Sequence, residues 1–157
     1  MYKTSTLIEQ TRLVAADYRN ATGHALPVTA ELARFDAIDK LKLEKMESEE
    51  GVDAFSVCVN KDLDDKKAEV KDKFLIKGRV IFKSGKARQK LGKLSFEGDW
   101  NYLLMVIYDA DYSPVSIYKV DRKIIEEELV KIPDDKRGSM TVAKYKAIGE
   151  QVWAAES

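Results

Sequence analysis

The chain has 157 residues, of which 45% are hydrophobic and 34% charged, and its 27 basic and 27 acidic side chains cancel to a formal charge of zero. That composition suits a globular domain with one core, and no apolar run approaches the roughly 18 residues of a membrane helix. A single cysteine, Cys58, and a single histidine, His24, exclude an internal disulfide and the common zinc clusters.

In chain order, residues 4–20 read as a helix within an N-terminal segment 1–24. Thr4 or Ser5 is the expected cap, and Leu7, Ile8, Thr11, Val14, Ala15 and Tyr18 recur at spacings of three and four. Gly23 suits its end, and a second helix follows Pro27, with Thr29 as cap and Leu32, Phe35, Ile38 and Leu41 as buried stripe. Glu31 falls in its first turn, where a carboxylate favours the helix dipole. An acidic connection with a short strand near Leu43 leads to two runs rich in β-branched and aromatic residues, 53–59 and 74–82. The spacing predicts a hairpin of these two.

Residues 84–93 form a polar, glycine-bounded loop. A fully apolar strand at 102–108 turns through 109–114 into a neighbour at 115–120. Asp121 is expected to cap a helix to Lys131, with Ile124, Ile125, Leu129 and Val130 inside. A final helix is expected over 141–153, within a C-terminal helical segment 139–157. The order of helix, helix, four strands, helix, helix predicts a single α+β domain with a mixed or antiparallel four-stranded sheet flanked by helices. Cys58, inside an apolar strand, is expected to be buried in a reducing compartment, and no apolar signal segment precedes the first helix, so a cytoplasmic location is expected.

The neutral total hides a basic stretch. Lys71, Lys73, Lys77, Arg79, Lys83, Lys86, Arg88, Lys90 and Lys93 have only Asp72 among them. Such a stripe is either a phosphate footprint or a strand edge kept soluble by lysines. There is no glycine-rich phosphate loop, no paired-histidine zinc motif and no nucleophile elbow. What remains is Asp53 at the start of one run and Lys77 inside the next. On adjacent strands they form either a cross-strand ion pair or the carboxylate and ammonium of metal-assisted phosphodiester hydrolysis.

Glu31-Leu32-Ala33, Gly51-Val52-Asp53-Ala54 and Ile76-Lys77-Gly78-Arg79 together resemble the core of the PD-(D/E)XK, or restriction-endonuclease-like, superfamily. With Arg137-Gly138-Ser139, the stretch 144–149 and Val152-Trp153, the chain is similar to a family of small, functionally uncharacterised bacterial proteins of that type. The resemblance implies a restriction-endonuclease-like core with Lys77, Asp53 and Glu31 as catalytic residues. It implies Mg²⁺ held by Asp53, Glu31 and the Ile76 carbonyl. Leu75 stands where a second carboxylate or an amide is expected and offers no ligand oxygen. The expected function is therefore nucleic-acid binding with weak or absent catalysis, through Arg79, Lys83, Lys86, Arg88 and Lys90. The alternatives are an active Mg²⁺-dependent DNA endonuclease and a protein-interaction scaffold. The partners expected are DNA or another nucleic acid, with a homodimer allowed and no membrane.

Overall fold

The computed structural model describes residues 2–59, 68–82 and 89–156. Its elements are α1 (Thr4–Thr22), α2 (Thr29–Leu41), β1 (Glu44–Lys45), β2 (Ala54–Val59), β3 (Ala68–Val80), β4 (Tyr102–Tyr108), β5 (Pro114–Asp121), α3 (Arg122–Val130), a 3-10 turn (Asp134–Ser139), α4 (Val142–Ile148) and β6 (Glu150–Ala154). The six strands lie in sequence order in one sheet. Only β3 and β4 are parallel, with Phe74 beside Tyr102 and Val80 beside Tyr108, and every other neighbour is antiparallel. The fold is α+β with a mixed sheet, as the order of elements predicts. No helix among the described residues is long and apolar enough to cross a membrane.

Two corrections concern the sheet. It has six strands rather than four, because β1 adds to one edge and β6 to the other. The expected final helix stops at Ile148, and the chain then runs back along β5, with Ile117 beside Trp153 and Lys119 beside Glu150. Gly149 makes the change in extended backbone, at φ −108 and ψ −177. A Cβ there would meet Val120 Cγ2 at 2.7 Å, so the close approach to β5 requires glycine. The segment 139–157 is thus a turn, a short helix and a strand.

Alternation along β3 and β4 divides the core into two layers. Phe74, Ile76 and Val80 join Leu104, Val106 and Tyr108 beneath α1 and α2, while Leu75 joins Leu103, Met105 and Ile107 beneath α3, α4 and the segment containing Leu91 and Trp100. Gly78 lets α2 lie directly on β3, since a Cβ there would stand 2.8 Å from Ala33 Cβ. The helices also differ in detail from expectation. α1 buries Arg12, Ala15 and Ala16 and leaves Leu7, Val14 and Tyr18 exposed. Its cap is Lys3 and that of α2 is Val28, neither with a side-chain bond, whereas Asp121 does cap α3 by accepting from Lys123 N–H at 2.8 Å. α3 buries Ile125 and Leu129 and exposes Ile124 and Val130, and Cys58 is exposed rather than buried.

The rotated face of α1 has a cause in an ion pair. Arg12 donates to both Asp36 oxygens at 3.0 and 2.9 Å and to the Tyr112 carbonyl at 2.7 Å, and Tyr108 Oη donates to Asp36 at 2.6 Å. Burial alone would lower the Arg12 pKa, but the bonds and charge of Asp36 outweigh it and the net shift is upward. A buried ion pair of this kind fixes which faces of α1 and α2 meet, because leaving either charge unpaired is costly.

Candidate functional site at the outer edge of β3

Pairing of β2 with β3 ends at Ala54 opposite Phe74, and β3 runs on to Val80 with β4 on its inner side. Lys73 directs its N–H and carbonyl to Asn101 on the β4 side. By alternation, residues 76, 78 and 80 turn theirs to the outer edge, which needs partners of its own. Three side chains supply them. The Asp53 carboxylate accepts from Ile76 N–H at 2.7 Å, Arg79 Nη1 donates to the Gly78 carbonyl at 2.7 Å, and Gln89 Nε2 donates to the Val80 carbonyl at 2.7 Å.

Arg79 also draws the next stretch of chain against this edge. Its Nε donates to the Lys90 carbonyl at 3.0 Å and its Nη2 to the Leu91 carbonyl. Residues 89–91 pair in turn with 140–142, through Val142 N–H to the Gln89 carbonyl at 2.8 Å and Leu91 N–H to the Met140 carbonyl at 3.3 Å. Burial lowers the pKa of Arg79. Its guanidinium is an internal clamp on three carbonyls rather than a surface cation.

The resemblance-based site is therefore brought together only in part. Asp53 and Ile76 meet, but through the Ile76 N–H. Lys77 follows on the face that Leu75 shares. It is half-buried and has no hydrogen-bond or ion-pair partner among the described residues, so the cross-strand pair with Asp53 is not formed. Glu31 is exposed in the first turn of α2 and pairs with Arg34. It lines a separate groove of about 360 Å³ with Thr4, Ile8, Phe35 and Ile38, in which neither Asp53 nor Lys77 takes part. Lys90 is exposed, and Lys83, Lys86 and Arg88 lie outside the described residues.

These side chains do not fit a Mg²⁺ shell. One Asp53 oxygen is occupied by a backbone N–H, and Leu75 is a core residue, 7% exposed. Among the described residues no group of three or more His, Cys, Asp or Glu is arranged to hold a metal ion. Mg²⁺ keeps several waters, but it still needs converging carboxylate oxygens to be held in place.

Sequence reasoning missed Gln89 and the structural use of Arg79. Neither has a sequence signal, since each depends on backbone carbonyls of β3 left without a neighbouring strand. The exposed Lys93, two residues beyond the Arg79 clamp, extends the cationic surface and was visible only as part of the basic stripe. In comparisons with known proteins, no family model and no curated protein matches this chain.

Proposed function

We propose that the protein binds nucleic acid through the cations around the outer end of β3 and does not hydrolyse it. The observation that carries this reading is the state of Lys77, Lys90 and Lys93. All three belong to the basic stretch of a chain whose total formal charge is zero, and none has an acidic partner among the described residues. By contrast, Lys73 is held by Glu49 at 2.8 Å, and Lys144 and Lys131 each sit 3.2 Å from Glu128. Cations left unpaired keep their full attraction for phosphate and release counterions when they meet it. Arg79 contributes indirectly, by fixing the backbone of Lys90 and Leu91 against the strand. Lys83, Lys86 and Arg88 belong to the same basic stretch of the sequence and lie outside the described residues.

The absence of a hydrolytic step in this reading rests on Asp53 and Leu75. A carboxylate already bonded to the Ile76 N–H, beside a leucine packed in the core, leaves Lys77 without a metal-bound water to activate. The proposal is tested by charge reversal at exposed positions. Lys90→Glu with Lys93→Glu is expected to weaken binding of a labelled single-stranded oligonucleotide by about tenfold or more at low salt, with the melting temperature unchanged. Unchanged affinity in that double variant contradicts the assignment of this surface.

A further inference from the structure

Where the basic stretch ends, Lys93, Leu94 and Phe96 meet Leu129 of α3 and Tyr145 of α4 around a cavity of about 320 Å³. That is the lower end of the size range of small-ligand sites. Its chemistry is uneven. Leu94, Phe96 and Leu129 give apolar walls, and the Phe96 ring packs against Trp100 in a tilted arrangement, with centroids 5.5 Å apart and planes 33° from parallel. The Arg122 guanidinium lies 5.3 Å from the Phe96 ring centre and 4.7 Å from that of Trp100, a cation–π contact with both rings.

Tyr145 is 1% exposed, and its phenol makes no hydrogen bond among the described residues. Burial pushes that phenol up to about 12, so it carries its proton at neutral pH and can donate. Arg137 and Lys93 are exposed beside the cavity. Arg137 has Asp134 at 2.7 Å, an exposed pair three residues apart that costs little to share, and Lys93 has no acidic partner among the described residues. The two cations against the one carboxylate leave the mouth net positive.

An aromatic wall, one phenol hydroxyl without a hydrogen bond among the described residues and a cationic rim suit a planar heteroaromatic ring that carries an anionic group. We infer that this cavity takes a nucleoside monophosphate unit, presented as the terminal nucleotide of a strand. The base lies against Phe96 and Leu129 with its edge on Tyr145 Oη, and the phosphate lies at Lys93 and Arg137. The inference rests on the nucleic-acid reading and deepens it, because Lys93 is the last cation of the stretch assigned to the phosphate backbone. Stacking on an aromatic ring and a contact to the base edge are how unpaired nucleotides are held.

Trp100 supplies the readout, since it touches Phe96, and Trp153→Phe leaves it as the only indole. In that background, titration with AMP is expected to change the indole fluorescence saturably, with adenosine and inorganic phosphate each about fivefold weaker or worse. Lys93→Glu should weaken AMP about fivefold and leave adenosine unchanged. Tyr145→Phe, which keeps the ring, should weaken both about fivefold. Lys93 is exposed, so its variant is informative even where Tyr145→Phe loses stability. No saturable change, or AMP binding that ignores both variants, overturns the site. Oligonucleotide binding measured in parallel separates the two proposals. AMP binding with these sensitivities but no oligonucleotide binding removes the strand-binding function and leaves a mononucleotide site, whereas oligonucleotide binding without AMP binding removes the site alone.

Discussion

The carboxylate of Asp53 accepts the N–H of Ile76 at 2.7 Å, at the point where β2 leaves β3. A short polar side chain there does what the next residue of a strand would otherwise do. It satisfies an outward N–H that would be left without a partner in a half-buried position. The residue that looks like a metal ligand in the sequence is, in the fold, a cap on an open strand edge.

Replacement of Asp53 should therefore register first in stability. Asp53→Ala leaves the Ile76 N–H unpaired and is expected to cost about 1–3 kcal/mol in urea unfolding. Asp53→Asn keeps an acceptor oxygen and should cost clearly less. Equal losses in the two variants would mean that the negative charge, rather than the acceptor, is what the fold needs.

Leu75 separates a core position from a vacant ligand position. Its side chain packs with Leu103, Met105 and Leu91 and is 7% exposed, so Leu75→Glu should bury a carboxylate without a partner. The expected loss is about 1–3 kcal/mol or more, with no gain in Mg²⁺ affinity by calorimetry. Stronger Mg²⁺ binding in that variant would restore the metal site implied by the superfamily resemblance.

Much of this architecture is readable from residue types, and the exceptions have physical causes. That β2 and β3 are antiparallel neighbours is legible from two β-branched runs. β2, however, pairs with residues 68–74, in the charged stretch expected to be loop, while the apolar run 74–80 pairs with β4. β6 is not legible, because Tyr145, Ile148 and Val152 keep a helical spacing across Gly149, and only the closeness of β5 makes that glycine a boundary. The buried face of α1 is hidden for another reason. Arg12 looks like a solvent residue until Asp36, 24 positions away, is placed beside it. At the site itself, Lys77 and Asp53 are visible as residues, but the β3 edge that occupies Asp53 is a property of strand order.

Two buried phenols make a prediction about alkaline stability. Burial raises the pKa of Tyr108, with Asp36 adding to the shift, and burial raises Tyr145 to about 12. Both groups are held neutral in the folded protein, while in the unfolded chain they ionise near pH 10. Their contribution is full below that value and declines as pH rises above about 10, for Tyr145 through about 12. For Tyr145 the loss is on the order of 2 kcal/mol. Unfolding midpoints should fall over that window, and Tyr145→Phe should flatten the fall. A profile unchanged by Tyr145→Phe would remove Tyr145 as a source of the slope.

The central claim is binding to nucleic acid through unpaired cations, without hydrolysis. It is tested most directly by fluorescence anisotropy of a labelled oligonucleotide with the wild-type chain, over increasing salt and in the presence of Mg²⁺. Recovered samples are then run on a denaturing gel. The account predicts affinity that falls linearly on a log–log plot against salt, with a slope reduced by about one for each phosphate-contacting lysine removed at positions 77, 90 and 93, and an oligonucleotide that stays intact. Affinity indifferent to salt and to those lysines, or cleavage in Mg²⁺ that Asp53→Ala abolishes, would contradict it.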